Sequence, residues 1–393
     1  MGLNEVVLVD AVRTPFGKAG GVYANTRADD LAVACVKALI ERNQLDPTIV
    51  EEVGIAATTQ VGDQGVTLGR SVALLAGIPN TVPGYAIDRM CAGAMTAVTQ
   101  VASEIAVGAI DVGIAGGVEH MGRHPIGAQM DVNPRFIAER LVAPDALNMG
   151  VTAENLHDRF PSLTKQRADA YAATSQHKTA AAYGEQRFAG QLVPVAARDE
   201  EGGWNLVTVD EPPRPDTTVE ALAALRTPFR PNGRVTAGNA AGLNDGATAA
   251  LLMRESKARE LGMQPRARML SYAFAGVEPE IMGYGPVPST EKALAKAGLA
   301  ISDIDLIEIN EAFAVQVLSF LEHFGIADDD PRVNPFGGAI AVGHPLASSG
   351  VRLMANMLEY FRTNPSARYA LTTMCIGLGM GASVIWENVE AAK

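Results

Sequence analysis

The sequence predicts an α/β protein that contains two copies of one strand-and-helix unit, separated by a segment of a different kind. Apolar strands alternate with helical stretches, beginning with Glu5–Asp10, Leu31–Arg42 and Glu52–Thr58, and this alternation is typical of an α/β fold. The chain has 393 residues, more than one hydrophobic core usually accommodates. We therefore expect two or three structural units.

The second copy is visible as a repeat near the end of the chain. Leu45–Ile55 (LDPTIVEEVGI) aligns without a gap on Leu299–Ile309 (LAISDIDLIEI), an offset of 254 residues (299 minus 45). Asp111–Gly122 corresponds in the same order to Tyr369–Gly381, and both are apolar stretches that run into glycine-rich turns. We infer a duplicated α/β unit.

Residues 123–244 differ from both copies. They are rich in proline, arginine and polar residues, include the helical stretches Lys165–Tyr183 and Thr218–Leu225, and contain nearly equal numbers of basic and acidic residues. The formal charge of the whole chain is −12, so the acidity is concentrated elsewhere. An anionic ligand would be least repelled by this segment; the alternative is an insertion of loops and helices that binds nothing.

The composition argues against several classes of protein. A charge of −12 disfavours general nucleic-acid binding. No run of 18 apolar residues is present, so no membrane span is expected, and Met1–Arg13 lacks the basic and apolar regions of a signal peptide. The three cysteines, Cys35, Cys91 and Cys375, form no disulfide framework, which fits a reducing cytoplasm.

Cys91 is the first candidate for chemistry. It follows the predicted strand Tyr85–Ile87 and opens a helix of small residues. The dipole and the free N–H groups of a helix start lower the pKa of a thiol and make it a better nucleophile. The alternative is a buried structural cysteine, which is how we interpret Cys35 within the predicted helix Ala28–Arg42.

His344 lies in the glycine-rich segment Asn334–Gly350, before another helix of small residues. Shifting Cys91 by the offset of 254 gives Pro345, the neighbour of His344, so Cys91 and His344 occupy equivalent places in the two copies. A Cys–His pair is a standard way to generate a thiolate. A structural histidine is the alternative.

Asn310 and Cys375 end two further strands. Asn310 follows the predicted strand Ile304–Ile309, where sites of α/β proteins tend to lie, although it could simply cap a helix. Cys375 precedes the glycine-rich turn of Thr373–Ser383. That turn is not a dinucleotide loop, because the 12 residues after Gly381 are too few for the rest of a βαβ unit.

No metal site is predicted. His120 and His124 are four residues apart, but Gly122 lies between them and Pro125 follows, which disfavours a continuous zinc-binding helix. Two cysteines, one histidine and one asparagine at strand-end turns suit covalent acyl transfer with carbanion chemistry instead. One thiolate would take the acyl group, the histidine would activate it, and the second thiol would move a proton at carbon.

At these residues the chain resembles the thiolase family, over essentially its whole length. The matching motifs are Val7–Lys18 (VLVDAVRTPFGK), the Cys91 segment, Val235–Ala247 (VTAGNAAGLNDGA), Asn310–Ala314 (NEAFA), Gly337–Gly350 (GGAIAVGHPLASSG) and Cys375–Gly381 (CIGLGMG). Three further segments resemble most the degradative 3-ketoacyl-CoA thiolases of fatty-acid β-oxidation: Gly116–Gly122, Arg214–Arg226 and Ile281–Pro288.

The resemblance implies the thiolase fold, in which two five-stranded α/β halves form a duplicated five-layered α-β-α-β-α core with an inserted loop domain that covers coenzyme A. We expect the N-terminal half at residues 1–122, the loop domain at 123–244, a return of the N-terminal half at about 245–268 and the C-terminal half at 269–393. The resemblance also implies a homodimer or homotetramer, coenzyme A as co-substrate without a tightly bound cofactor, and, in some relatives, a hydratase–dehydrogenase partner subunit.

The resemblance implies roles for individual residues as well. Cys91 matches the nucleophile, His344 its activating base, and Cys375 the acid/base that acts on the acetyl-CoA carbanion. Asn310, through a water, and His344 match one oxyanion hole, and the backbone N–H groups of Cys91 and Gly377 match the other. Four residues match coenzyme A contacts: Met149, Arg214, Ala237 and Ala241.

The chain departs from the family pattern without losing a catalytic group. Gly93 and Ala94 follow the nucleophile where serine is common, Ala240 and Ala241 stand at a spot often held by serine, and Met380 replaces a frequent glutamine. Asn148 stands where biosynthetic acetoacetyl-CoA thiolases often carry histidine. This last change weakens the short-chain biosynthetic interpretation.

The leading hypothesis is therefore a 3-ketoacyl-CoA thiolase that releases acetyl-CoA and a shortened acyl-CoA. A biosynthetic acetyl-CoA acetyltransferase that makes acetoacetyl-CoA is the nearest alternative. A decarboxylating ketoacyl synthase would not need Cys375, and a catalytically silent binding subunit should lack at least one of Cys91, His344 and Cys375.

Overall fold

A computed structural model describes residues 2–128, 131–198 and 202–391; Met1 and Lys393, the outer ends of the two predicted halves, lie outside these ranges. The strands are β1 (Val6–Arg13), β2 (Gly17–Lys18), β3 (Glu52–Ala56), β4 (Tyr85–Ile87), β5 (Val112–His120), β6 (Val195–Arg198), β7 (Trp204–Val207), β8 (Asn244–Arg254), β9 (Ala267–Gly276), β10 (Leu306–Ile309), β11 (Tyr369–Ile376) and β12 (Met380–Asn388). The helices are α1 (Ala28–Arg42), α2 (Leu68–Leu75), α3 (Gly93–Val107), α4 (Arg135–Ala138), α5 (Met149–Arg159), α6 (Lys165–Gly184), α7 (Val219–Ala223), α8 (Glu255–Glu260), α9 (Pro286–Ala297), α10 (Ala314–Phe324), α11 (Ala339–Val342) and α12 (Ser349–Thr363).

The strands of both halves join into one sheet. Within the described residues its order is β4-β3-β5-β8-β1-β9-β12-β11-β10, with β2 paired to β8. Strands β1 and β9 connect the halves through a short antiparallel pairing of Val7 and Leu8 with Arg268 and Ala267. Strands β6 and β7 form a separate hairpin within the middle segment.

The strand order confirms the duplication. Numbered within its own half, the first half reads 3-2-4-5-1 from the outer edge (β4-β3-β5-β8-β1), and the second half reads 2-4-5-1 (β10-β11-β12-β9). The resemblance implied five strands per half, but among the described residues the place of the fifth strand in the second half holds one parallel bridge, Ile307 to Val333. Pro331 and Pro335 flank Val333 and lack the N–H donors that a longer ladder needs.

The buried side chains separate into layers, as expected for the α-β-α-β-α core. Helices α1 and α2 pack on the outer face of the first half-sheet, and α9 and α10 pack on the outer face of the second. Helices α3 and α12 lie between the half-sheets in a shared central core. Each central helix follows a turn that carries a predicted site residue, so the layering brings those turns together.

The two central helices define the register of the repeat. Both contain 15 residues, and α12 begins 256 residues after α3 (349 minus 93), whereas β3 and β10 keep the offset of 254. Ala347 rather than Pro345 is therefore the counterpart of Cys91. The predicted equivalence of Cys91 and His344 is wrong by three residues, because two extra residues lie between strand and helix in the second half.

Helix α3 explains one apolar feature of the sequence. The stretch Met90–Val107 is long and apolar enough to cross a membrane by length and composition alone, although it includes polar residues. Within the fold, 61% of this stretch is buried. It forms the central layer of the core between two half-sheets, which accounts for its apolar character.

Candidate active site

Cys91 occupies a strained turn between strand β4 and helix α3. The preceding residue, Met90, has φ of +46°, a left-handed conformation that is uncommon for a residue other than glycine. The Asp88 carboxylate accepts a hydrogen bond from the Met90 backbone N–H at 2.6 Å and stabilises this conformation. The turn leaves Cys91 partly exposed, whereas Cys35 is buried and donates to the Ala247 carbonyl.

The turns that carry Cys91 and His344 pack directly against each other. A Cβ atom at Gly93 would lie 2.7 Å from Cβ of Ala56 and 3.0 Å from Cβ of Ala347. A Cβ atom at Gly350 would lie 2.6 Å from the Met95 backbone nitrogen. Small residues at both helix starts are thus required by this close approach of the two halves.

His344 is held from two sides. Its backbone N–H donates to Asn244 Oδ1 at 2.9 Å, and its ring Nδ1 lies 2.6 Å from Ser349 Oγ. Because the Ser349 hydroxyl donates to the Pro345 carbonyl, it accepts from Nδ1–H, and Nε2 is then the nitrogen that is able to accept a proton. Burial, with a smaller contribution from Arg352, lowers the pKa of His344 to about 3, so the imidazole is neutral.

Asn310 stands beside His344 at the end of β10. Its Nδ2 lies 3.3 Å from His344 Nε2 and 3.4 Å from His344 Nδ1. Its Oδ1 accepts from the Arg352 guanidinium at 2.8 Å. Asn310 is fully buried and is not a helix cap, since helix α10 begins at Ala314 and Phe313 precedes it.

Cys375 and Gly377 approach Cys91 from the second half. Cys375 lies near the end of β11 and is fully buried, and burial, with a smaller contribution from nearby Cys91, raises its pKa well above the usual value for a thiol. The Gly377 backbone N–H interacts with the Cys91 thiol. Leu378 and Gly379, both with positive φ, complete the turn that positions it.

The pKa of Cys91 differs in direction from our expectation. Burial raises it to about 11, outweighing the opposing effect of the backbone N–H groups of Gly377 and Cys91. The helix start therefore supplies donors, as expected, but the loss of water costs the thiolate more. Within the described residues the thiol and the His344 ring share no hydrogen bond, and both groups are neutral at pH 7.

Glu119, which sequence reasoning missed, joins the halves beneath the two turns. Its Oε2 accepts from the backbone N–H groups of Thr58 at 3.0 Å and Ala347 at 3.2 Å, and its Oε1 accepts from Gln64 at 2.9 Å. Its negative charge also raises the pKa of Cys91. A glutamate buried at the end of an apolar strand was the available signal.

The four predicted coenzyme A contacts lie at different depths. Met149 begins α5, and its Sδ would lie 3.6 Å from a Cβ at Gly377, beside the thiols. Ala241 is half-buried, and its N–H donates to the Ala312 carbonyl, two residues beyond Asn310. Ala237, in the same loop, and Arg214 are exposed. Met149 is thus close to the two thiols and Ala241 is close to Asn310, whereas Ala237 and Arg214 face solvent.

Two other sequence features have local structural roles. Asn148 caps helix α5, its Oδ1 accepting from the Gly150 N–H at 3.1 Å. His120 and His124 have separate partners, the Tyr23 carbonyl and Asp63 respectively. Among the described residues no group of three or more His, Cys, Asp or Glu side chains is arranged to hold a metal ion.

A duplicated α/β fold with two thiols, an imidazole and an amide gathered at its strand ends contains the groups needed for cysteine-dependent acyl transfer. Comparisons with known proteins agree. The family described as "Thiolase, N-terminal domain" matches residues 6–256, and "Thiolase, C-terminal domain" matches residues 263–388. The chain belongs to the thiolase family.

Similar proteins cover nearly the whole chain. A 3-ketoacyl-CoA thiolase of Citrobacter koseri is 43% identical over 99% of this chain and 100% of its own length, and one of Photobacterium profundum is 44% identical over 98% and 100%. The crystal structure of human mitochondrial 3-ketoacyl-CoA thiolase superposes with a TM-score of 0.90 at 34% identity, covering 99% of this chain and 100% of that one. The Bacillus anthracis acetyl-CoA acetyltransferase gives 0.88 at 36% identity, covering 98% of both chains.

Proposed function

We propose that the chain is a 3-ketoacyl-CoA thiolase, an acetyl-CoA C-acyltransferase that cleaves 3-ketoacyl-CoA into acetyl-CoA and a shortened acyl-CoA. The observation that carries this proposal is the meeting of Cys91, from one half, with Cys375 and the Gly377 N–H, from the other, beside His344 and Asn310. Two thiols in one site suit a reaction that needs both an acyl carrier and a proton donor at carbon.

In the first step Cys91 Sγ attacks the 3-keto carbon while His344 Nε2 takes the thiol proton. The resulting oxyanion collapses, the Cα–Cβ bond breaks, and the acyl group remains on Cys91. The bonding electrons form the enolate of acetyl-CoA, which takes a proton from the Cys375 thiol. The neutral thiol and neutral imidazole indicate that the proton moves as the sulfur attacks, without a preformed ion pair.

In the second step a new coenzyme A thiol gives its proton to the Cys375 thiolate and attacks the acyl-enzyme. Cys91 departs as thiolate and recovers its proton from His344. The N–H groups of Cys91 and Gly377 would stabilise the acyl-enzyme oxyanion, and Asn310 with His344 would stabilise the thioester enolate. The same steps in reverse give a Claisen condensation.

We assign coenzyme A to the middle segment, residues 123–244, as a loop domain over the site. Met149 would contact the reactive end of the ligand, and Ala241 and Ala237 would follow it outward. Exposed Arg214 would meet the nucleotide end, where a cation suits phosphate. The first half then resumes at about 245–268, supported by the pairing of β8 with β1 and β5, and the C-terminal half occupies 269–393. The homodimer or homotetramer and the hydratase–dehydrogenase partner stay predictions.

The test is a thiolysis series with 3-ketoacyl-CoA substrates of increasing chain length, followed through loss of the 3-ketoacyl thioester. We expect turnover of longer chains as well as acetoacetyl-CoA. Activity on acetoacetyl-CoA alone would indicate the alternative, a biosynthetic acetyl-CoA acetyltransferase.

The nucleophile is tested in the same assay. Cys91→Ala should lower kcat on the order of a thousandfold or more, since no acyl-enzyme is able to form. Cys35→Ala is the matched control, a buried thiol of the same half, and should keep kcat. Unchanged thiolysis by Cys91→Ala would falsify the mechanism.

A further inference from the structure

We propose that Arg352 is a positioning residue that fixes the orientation of the Asn310 amide, so that its Nδ2–H group faces His344 and the reacting thioester. This inference rests on the role proposed above for Asn310. Arg352 itself is 1% exposed and acts through Asn310 and not on the substrate.

The contact follows from two periodicities. On β10 alternate residues share a face, so Glu308 and Asn310 both point toward the central helices. On α12 residues three and four apart share a face, which aligns Ser349, Arg352 and Asn356. These two rows meet, and Arg352 Nη2 donates to Asn310 Oδ1 at 2.8 Å.

The guanidinium settles which way the amide points. Arginine carries only donors, so the amide atom that faces it must be the oxygen. The NH₂ group of Asn310 then points away, toward the His344 ring at 3.3 Å. Without Arg352, only the unprotonated Nε2 of His344 would favour this orientation, and that preference reverses once Nε2 takes the thiol proton. The flipped amide would present an oxygen to a developing oxyanion.

A buried polar network holds the guanidinium from behind. Glu308 Oε2 lies 3.5 Å from Arg352 Nη1 and accepts from Asn356 at 3.2 Å. Asn356 in turn accepts from Gln191 at 3.0 Å. These links extend away from the site, so they restrain Arg352 without touching the reacting groups.

The cost of this arrangement argues for a function. Within the described structure, Arg352 Nε and Nη1 and Glu308 Oε1 are buried without hydrogen-bond partners. A buried ion pair with incomplete hydrogen bonding is often less stable than apolar side chains of the same volume. Stability alone therefore does not explain Arg352, whereas control of the Asn310 amide does.

The experiment is a mutant cycle measured as kcat and KM for acetoacetyl-CoA thiolysis. Glu308→Gln/Arg352→Met replaces both members of the buried pair together, so that neither is left without its partner. The same pair is then introduced with Asn310→Ala. Glu308→Gln alone keeps the Arg352–Asn310 contact, and Asn356→Ala perturbs the network two links away; both are controls, with Tm measured for every variant.

We expect Glu308→Gln/Arg352→Met to lower kcat by about tenfold to a thousandfold, approaching the loss of an oxyanion donor, with little change in KM. Added to Asn310→Ala, it should lower kcat by less than about twofold, because both changes remove one function. Glu308→Gln and Asn356→Ala should shift Tm but keep kcat. Arg352→Lys retains a hydrogen-bond donor and should therefore lose less kcat than Glu308→Gln/Arg352→Met.

Three outcomes would overturn parts of the argument separately. Normal kcat in Asn310→Ala would contradict the role of Asn310 and the positioning inference with it. A loss in Asn310→Ala that multiplies with the loss from Glu308→Gln/Arg352→Met would show that Arg352 acts independently of Asn310. Equal kcat losses in Asn356→Ala and Glu308→Gln/Arg352→Met would show only a general structural effect.

Discussion

The two halves have the same strand order, and each half-sheet packs between outer helices and a central helix layer. Their equivalent positions nevertheless differ sharply in polarity. Glu308 on β10 and Asn310 directly after it stand where β3, at the offset of 254, carries Gly54 and Ala56. A Cβ at Gly54 would lie 2.5 Å from the Tyr85 ring, so the first half has no room for the side chains that the second half uses.

The central helices show the same contrast. At the offset of 256, Ser349 and Arg352 of α12 correspond to Gly93 and Thr96 of α3. The Thr96 hydroxyl donates to the carbonyl of Ala92, the residue that directly precedes its own helix. The two halves thus share one fold but contribute different groups to the site. The first half presents the nucleophile on a tightly packed turn, and the second half surrounds it with oriented polar groups.

The largest expected effect on kcat comes from removing His344, the proposed base, which belongs to the second half. His344→Ala should lower kcat by about a hundredfold to ten-thousandfold, the usual contribution of a positioned general base. His157→Asn is a control, because His157 is also a buried histidine; its ring pairs with the Leu163 carbonyl, and it belongs to the middle segment. Comparable kcat losses in the two variants would contradict the assignment.

Placing a polar side chain of the second half at the equivalent position of the first half should destabilise the first half. Ala56→Asn places at the counterpart of Asn310 a larger polar side chain that faces Gly93 and has no guanidinium to pair with. Overpacking and an unsatisfied amide together should reduce the free energy of unfolding by about 2–4 kcal/mol, measured by urea denaturation. Ala109→Asn, at an exposed position, should change it little. A fully stable Ala56→Asn protein would mean that the first half does accommodate polar groups.

The smallest expected effect tests the charge that links the halves. Glu119 raises the pKa of Cys91, so Glu119→Gln should lower it and enlarge the thiolate fraction at pH 8. Alkylation by iodoacetamide should then be severalfold faster at pH 8, with the rate of both proteins rising toward pH 11. Glu104→Gln, in helix α3 about three turns beyond the helix start that follows Cys91, is the control; identical rates in wild type and Glu119→Gln would contradict the electrostatic coupling.

Much of the fold was accessible from local patterns. The bounds of α1 (Ala28–Arg42) and β4 (Tyr85–Ile87) match their predictions, since periodicity and strand propensity are local. Helix α7 begins one residue later than predicted, because Thr218 caps it by accepting from the Ala221 N–H, and it ends two residues earlier, at Ala223. The family resemblance predicted a fifth strand in the second half. Pro331 and Pro335 were the signal in the sequence against that strand.

The site residues likewise divide into those that local sequence patterns indicated and those that only the folded structure revealed. Cys91 and Asn310 were found because each follows an apolar strand, and Cys375 because it lies at the end of one, since strand ends converge in α/β folds. Glu308 and Arg352 were missed, although a glutamate between two isoleucines in a buried strand is unusual. Their significance depends on a contact between positions 310 and 352, which no local pattern contains.

Cys91 illustrates what the sequence by itself determined and what only the tertiary structure decided. The sequence placed it after a strand, at a helix start and among small residues, and indicated its family. The packing of the second half over that turn decided the direction of its pKa shift and the neutral state of His344. The reason is physical: donors at a helix start are local, whereas desolvation and the field of Glu119 and Arg352 exist only when distant segments have packed together.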